Sequence, residues 1–372
     1  MKIFKLFPTF VAVIISVSAF AQDRADRQSL TEPGGSTMIL LGDPQGYVKY
    51  DLNQAIFELC TSWIADNVEQ LNIKAVLCTG DLVEQNDNNA LNRRMLNQTS
   101  RQMWESVSRA FARLDGVVPY VISPGNHDYG FKHSEDIHTF YPDYFTSERQ
   151  GKTLLDHLVG EFHNREGRAS IENSATEYEL PGWEHKILVI TAEFTPSDGM
   201  LEWAADMCRK HPDDYVIFLT HSYMKCAGRC NNERNTEPES YGLCQDPVNN
   251  YGERIWEKLV NEVPNIRLVL CGHHAHSDFR KTGKDVYEDN IGWRVDKNKS
   301  GKDVGQMMFN VQTLGGGWEG NGGDGWVRII EFLPDGKTIH FRTYSPLFGI
   351  SPLTKHLASL KGPLCDFSFT IE

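Results

Sequence analysis

The sequence is poor in basic residues, in long apolar runs and in paired cysteines. It has 37 Lys and Arg against 50 Asp and Glu, a formal net charge of −13, whereas nucleic-acid binding depends on clustered Lys and Arg. We therefore expect no nucleic-acid partner, although a small anionic substrate stays open because a bound cation reverses the local field. None of the eight Cys forms a C-x-x-C pair, which argues against a zinc knot.

The N-terminal segment is the exception to the shortage of apolar runs. Lys2 and Lys5 precede an apolar stretch at 10–17, and a small-x-small cleavage site ends at Ala21. This pattern is typical of a secretory signal peptide, and the run is too short for a spanning helix with normal flanks. We expect residues 1–21 to be a signal peptide rather than an uncleaved anchor, and the protein to be exported (periplasmic or secreted) without a membrane span.

The cysteines allow more than one interpretation. Cys226, Cys230 and Cys244 lie in one polar loop, and export permits disulfides, so a local bridge among them is one hypothesis. Cys78 and Cys271 end apolar runs and are expected to be buried thiols. The sequence does not determine the pairing.

Apolar runs alternate with stretches of helical spacing over most of the remaining chain. The runs lie at 37–41, 74–78, 117–122, 186–191, 215–220 and 266–271. The helical stretches lie at about 53–70, 90–114, 198–210 and 250–262. This alternation is typical of an α/β fold. The tail instead predicts successive strands at 305–313, 325–333 and 338–344, with residues 334–336 as a hairpin turn.

Polar side chains that can bind a metal follow five of the apolar runs. They are Asp43, Asp81, Asn126, His221 and His273. Each motif alone is common turn chemistry, but an ordered set of five at strand ends is not expected by chance. Ligands bind at this edge of open α/β sheets. Carboxylate, amide and imidazole ligands suit Mn, Fe or Zn, and two such ions about 3.5–4 Å apart would clamp a phosphoryl group and activate water.

The order of these motifs resembles the calcineurin-like metallophosphoesterases, from Asp43 to His276. The resemblance implies an α/β fold with a four-layer α-β-β-α sandwich of two mixed sheets. It also implies a metal-dependent enzyme, here expected to be exported because of its N-terminal pattern, that hydrolyses a small phosphomonoester or phosphodiester by a metal-activated hydroxide. We expect a flexible lead-in at 22–36 and one such domain over 37–372, with insertions at about 129–185 and 222–250.

The same resemblance implies a role for each site residue. The metal ligands would be Asp43, Gln45, Asp81, Asn126, His221, His273 and His276. Asp81 would bridge two divalent or trivalent ions. Asn126 and His127 would contact the substrate, and His127 would protonate the leaving oxygen as general acid. Glu84 would orient His127.

Two positions depart from the family pattern, and both belong to the first metal. Gln45 stands where the pattern has His, and we interpret it as a ligand through its amide oxygen; the alternative is a hydrogen bond to a metal-bound water. Ala275 also replaces a His. We predict that His276 serves instead, although a His274 and His276 pair, or loss of this imidazole, are the alternatives.

These departures leave a second function open. A chain with a damaged first site would be a catalytically impaired protein of the same fold that binds a glycan or a protein partner. The oligomeric state does not follow from the sequence.

Overall fold

Two mixed sheets form the centre of the protein in the computed structural model, which describes residues 28–91, 95–276 and 287–371. The predicted signal peptide therefore lies outside the described residues. In chain order the strands are β1 (Ser36–Leu41), β2 (Ile73–Cys78), β3 (Tyr120–Ile122), β4 (Leu158–Glu161), β5 (Ser174–Tyr178), β6 (Ile187–Thr191), β7 (Tyr215–Leu219), β8 (Ile266–Cys271), β9 (Ile291–Lys297), β10 (Asp303–Phe309), β11 (Val327–Phe332), β12 (Thr338–Tyr344), β13 (Ser359–Leu360) and β14 (Asp366–Thr370).

The strand order brings the parallel strands of each sheet side by side. The first sheet has the order β13-β12-β11-β1-β2-β3, and β14 also pairs with β12. The second has the order β4-β5-β6-β7-β8-β10-β9. In the first sheet β1, β2 and β3 are parallel, and in the second β6, β7, β8 and β10 are parallel. The segments that follow these strands therefore leave from one edge of each sheet.

The helices are mostly short. They are α1 (Gln45–Val48), α2 (Gln54–Asp66), α3 (Ser100–Phe111), α4 (Tyr141–Tyr144), α5 (Lys152–Leu155), α6 (Asp198–Lys210), α7 (Ala227–Cys230), α8 (Gly252–Ile255), which continues as a π-helix (Trp256–Val260), and α9 (Pro346–Gly349). Single 3₁₀ turns lie at Asp51–Asn53, Asn126–Asp128, Ser147–Gln150, Gly242–Gln245 and Lys355–Leu357. Among the described residues, none of the helices could cross a bilayer.

Neighbouring residues along the strands of the second sheet belong to two different apolar clusters, and this defines the layers of the fold. Leu188 and Phe218 pack in one apolar cluster with Met200 of α6. Val189 and Ile217, on the opposite face, belong to a larger cluster that also contains the first sheet and helices α2 and α3. Since successive side chains of a strand point to opposite faces, the second sheet lies between helices and the first sheet. The predicted α-β-β-α arrangement of two mixed sheets is confirmed.

Aromatic side chains join the two sheets. The ring of Trp183 lies 5.4 Å from that of Phe332. Trp293 of β9 contacts Phe341 of β12 at 5.3 Å and Phe367 of β14 at 4.9 Å. Strands β12 and β14 of the first sheet thus pack against β9 of the second.

The predicted elements agree with the structure except at their ends, whereas none of β4, β5, β9, β13 and β14 was predicted from the sequence. Helix α6 has the predicted bounds, and the β11–β12 hairpin turns where expected. The helix predicted at about 90–114 begins only at Ser100, because Thr99 caps it: the Thr99 side chain accepts from the Gln102 main chain and Gln102 accepts in return. All eight cysteines are free thiols, so the hypothetical local bridge does not form.

A buried polar network holds the predicted insertion at 129–185 against the second sheet. The Tyr129 hydroxyl donates to Glu172 at 2.7 Å, and Ser170 donates to the same carboxylate at 2.9 Å. Glu193, just after β6, lies 3.4 Å from Arg165. Burial, together with the nearby charge of Glu193, raises the pKa of Glu172 to about 7.

We predict that Glu172→Gln stabilises the protein at high pH. Because the pKa of Glu172 is raised in the folded state, its favourable contribution is present below the ordinary glutamate pKa and is lost as pH rises through about 7. The free energy of unfolding from denaturant titration should gain about 1–3 kcal/mol at pH 8 and little at pH 4. Glu161→Gln, at an exposed glutamate on β4, is the control. The same pH dependence in Glu172→Gln and wild type would contradict the prediction.

Candidate metal centre

The five strand-end side chains predicted from the sequence meet at one edge of the two sheets. Asp43 follows β1, Asp81 follows β2 and Asn126 follows β3 in the first sheet. His221 follows β7 and His273 follows β8 in the second sheet. Hydrogen-bond contacts link side chains from one sheet to those from the other, so this edge brings both sheets to a single site.

One group of these side chains has the ligand atoms of a metal site. His221 Nε2 lies 3.3 Å from Asp81 Oδ1, 3.2 Å from Asn126 Oδ1 and 3.1 Å from His273 Nδ1. The ligand atoms of Asp81, His221 and His273 all lie within 4.8 Å of one another. His221 Nδ1 is 2.6 Å from the carbonyl oxygen of Thr79, so a proton on Nδ1 leaves the Nε2 lone pair facing the other ligands.

The residues predicted for the first metal lie beside this group. Asp43 is buried and accepts from Thr79 Oγ1 at 2.7 Å and from Asn310 Nδ2 at 2.6 Å. Gln45 donates through Nε2 to Glu84, while its Oε1 is buried without a hydrogen-bond partner. His276 Nε2 is likewise buried without a partner. Unpaired buried polar atoms are rare, and both are atoms that a metal ion accepts as ligands.

His276 is anchored through its backbone. Its main-chain N–H donates to Asn290 at 3.1 Å, and its carbonyl oxygen accepts from Thr313 at 2.9 Å. It belongs to none of the His, Cys, Asp and Glu clusters that could hold a metal among the described residues. His274 instead contacts Asn235 Oδ1 through Nε2 at 3.0 Å. Between the two candidates, only His276 has a fully buried ring nitrogen without a hydrogen-bond partner.

Two glycines allow the strand-end backbones to approach the carboxylates. A Cβ on Gly125 would lie 2.2 Å from Asp81 Oδ1, and one on Gly272 would lie 2.3 Å from Asp43 Oδ1. Asp81 and His273 themselves have φ angles of 51° and 68°. Left-handed backbone at non-glycine residues is sparsely populated and concentrates at functional sites. Asp81 and His273 therefore adopt a locally unfavourable backbone conformation at the position where their side chains face the site.

The charges of the site favour a cation. Burial raises the pKa of Asp43 to about 6, with the charge of Asp81 adding to the effect and His221 opposing it. Burial lowers the pKa of His221, but the charges of Asp81 and Asp43 outweigh it and raise the pKa to about 10. The two carboxylates that favour a proton on His221 equally favour a metal ion beside it.

His127 is held at the margin of this group. Its main-chain N–H donates to Asp81 Oδ1 at 2.9 Å, and its Nδ1 lies 2.6 Å from the carbonyl oxygen of Glu84. Burial lowers the pKa of His127, whereas the charges of Asp81 and Glu84 raise it above its ordinary value. Glu84 therefore contacts His127 through its backbone, while its carboxylate accepts from Gln45 and from the buried Lys49 at 3.2 Å.

Several residues that contact the predicted ligands were not predicted from the sequence, among them Asn310 and Glu239. Asn310, directly after β10, donates to Asp43 and to the carbonyl oxygen of His273. The strand-end pattern could have found it, had the predicted strand ended at Phe309. Glu239 lies 2.5 Å from His273 Nε2, and its position in a polar loop gave no sequence signal.

Both predicted insertions contribute to the rim of the site. The ring of His133 lies 5.8 Å from His127. Tyr241 lies 5.6 Å from His133 and 6.1 Å from His273. An exposed histidine thus lies beside the imidazole predicted to contact the substrate, and a half-buried tyrosine lies beside that histidine and His273.

Comparisons with known proteins found one matching family model and one curated relative. The model of the calcineurin-like phosphoesterase family matches residues 37–277. The uncharacterised protein YvnB of Bacillus subtilis (strain 168) is 30% identical over 311 residues, 83% of this chain and 20% of that protein. This chain thus spans about a fifth of the length of that relative.

Two solved structures are similar at low identity. A dimetal phosphatase from Danio rerio has 10% identity and a TM-score of 0.48, over 92% of this chain and 100% of that one. A purple acid phosphatase from yellow lupin (Lupinus luteus) seeds has 12% identity and a TM-score of 0.42, over 92% of this chain and 55% of that one.

We predict that Gly272→Ala weakens metal binding at the first site, because the added methyl group would displace the Asp43 carboxylate. Calorimetric titration of the chelator-treated protein should show at least a tenfold loss of affinity for one metal equivalent, since ligand position governs affinity. Gly199→Ala in α6, where a Cβ meets only ordinary contacts, is the matched control. Equal affinities in both variants would rule out the steric role of Gly272.

Proposed function

This chain belongs to the calcineurin-like phosphoesterase family, and from that premise we propose that it is a metal-dependent hydrolase of a phosphomonoester or phosphodiester. One observation carries the proposal: Asp81, Asn126, His221 and His273 direct ligand atoms at one another across the edge of two sheets. Oxygen and imidazole donors of this kind suit Mn, Fe or Zn.

The ligand sets divide between two metal positions that share Asp81. Asn126, His221 and His273 would hold the second ion, and Asp43, Gln45 and His276 the first. When bound, the two ions would polarise the phosphoryl group and lower the pKa of a water molecule. Gln45 Oε1 and His276 Nε2 favour this assignment, because each is buried without a hydrogen-bond partner and could bind a metal ion instead.

His127 is the residue we assign as general acid. Its Nδ1 is engaged with the carbonyl oxygen of Glu84, so Nε2 is left to carry a proton to the leaving oxygen. The main-chain contact with Asp81 ties the imidazole to the residue that would bridge the ions. The rim formed by His133 and Tyr241 would contact the leaving group.

The general-acid role predicts a dependence on the leaving group. His127→Ala should lower kcat/KM for phenyl phosphate by about 10²–10⁴. The loss should be much smaller for 4-nitrophenyl phosphate, because that leaving group departs without a proton. His163→Ala, at an exposed histidine of the insertion at 129–185, is the control, and metal content should be unchanged in both variants. Equal losses on the two esters would exclude His127 as the acid.

A catalytically impaired binding protein is the second candidate function. The observation that favours it is Ala275, which stands where the family pattern has an imidazole, with His276 outside the metal-capable clusters of the described residues. In that case chelator-treated protein reconstituted with Mn or Zn should bind one equivalent and hydrolyse no phosphoester. Two equivalents with turnover would reject this candidate.

We also propose that the protein is exported, on the pattern of residues 1–21. When the full-length chain is expressed in a bacterial host, the protein in the periplasm or medium should have the mass of a chain that begins at Gln22. Ala19→Arg, which removes a small residue from the cleavage site, should accumulate uncleaved. Full-length protein confined to the cytoplasm would contradict export.

A further inference from the structure

We infer that Glu239, on the loop at 222–250, is a positioning residue of the second metal site. Its carboxylate would fix the ring of His273 so that Nδ1 faces Asp81, Asn126 and His221. This inference rests on the proposed metal centre and adds a residue that no strand-end motif contains.

The geometry around His273 supplies the first argument. Glu239 Oε2 lies 2.5 Å from His273 Nε2, while His273 Nδ1 lies 3.1 Å from His221 Nε2. An imidazole whose Nε2 donates to a carboxylate has its lone pair on Nδ1. Metal-binding histidines characteristically donate their other ring nitrogen to an acceptor, which fixes the tautomer and the ring orientation.

Glu239 is itself held in place, which a positioning residue requires. Asn235 Nδ2 donates to Glu239 Oε1 at 3.1 Å, and the Ser222 hydroxyl donates to the same oxygen. Ser222 directly follows His221, so the carboxylate is tied to the backbone that carries a second metal ligand. The side chain of Glu239 is 19% exposed, and its hydrogen bonds are therefore only partly open to exchange with water.

The two imidazoles of the second site then have different supports. His221 is fixed by the carbonyl oxygen of Thr79, at the end of a central strand. His273 is fixed by a side chain of a surface loop. The carboxylate–imidazole contact would therefore couple metal affinity to the position of this loop, which also carries Tyr241 of the rim.

A direct ligand role for Glu239 is less consistent with the contacts. The ligand atoms of Glu239, His273 and His274 lie close enough to hold a third cation. However, His274 Nε2 is engaged with Asn235 Oδ1 at 3.0 Å, and Asn235 also donates to Glu239. Glu239, Asn235 and the two histidines are thus already bonded to one another, which is consistent with a positioning role for Glu239 rather than a ligand role.

The test is a metal titration of the full mature chain after chelator treatment, with Co²⁺ as the probe. Glu239→Ala should weaken one of two equivalents by about 10- to 100-fold and alter the visible spectrum of that Co²⁺. Glu239→Gln, which keeps an oxygen acceptor for His273, should lose less. Glu237→Ala, two residues away and exposed, is the matched control and should bind like wild type.

Three results would overturn the inference. Unchanged Co²⁺ affinity in Glu239→Ala, with only a lower melting temperature of the metal-free protein, would mean that Glu239 merely stabilises the loop. Three equivalents in wild type, of which Glu239→Ala loses one completely, would make Glu239 a ligand. Wild type that binds no Co²⁺ would reject the proposed metal centre itself, whereas the first two results leave that centre intact.

Discussion

The proximity of two buried carboxylates at the edge of the first sheet is the constraint on which the site depends. Asp43 and Asp81 follow neighbouring parallel strands, and the charge of Asp81 adds to burial in raising the pKa of Asp43. His221 stands between them and the second sheet, with its pKa raised by both. Positive charge beside the carboxylates, supplied by a protonated imidazole or by metal ions, stabilises such an arrangement. The fold thus places two carboxylates where divalent cations would neutralise their charge.

Close backbone packing and unusual backbone conformations hold the Asp43 and Asp81 carboxylates in place. Gly125 and Gly272 let adjacent backbones approach the carboxylates within distances that a methyl group would block. Asp81 and His273 adopt left-handed backbone, an unfavourable conformation that the surrounding strands maintain. Loops from both insertions then reach the site from outside. Strands position the ligands, whereas loops supply the rim and, in our inference, the support of one imidazole.

Much of the fold and of the inner site could be predicted from the sequence, because strand ends that carry polar residues are visible in it. Asp81 and His221 needed no more than the pattern of apolar runs and the family resemblance. Contacts between distant loops left no such trace, and Glu239 was missed for that reason. The way in which Glu84 reaches His127, through its backbone, was also invisible, since main-chain contacts do not depend on residue type. The roles of the individual site residues remain predictions.

The occupancy of the centre is the most direct test of this account. Crystals of the mature protein grown with Mn²⁺ can be measured at the Mn absorption edge. We predict two anomalous peaks about 3.5–4 Å apart, with Asp81 between them and Gln45 Oε1 and His276 Nε2 beside the first. A single peak beside Asn126, with Gln45 and His276 unliganded, would contradict the two-metal centre.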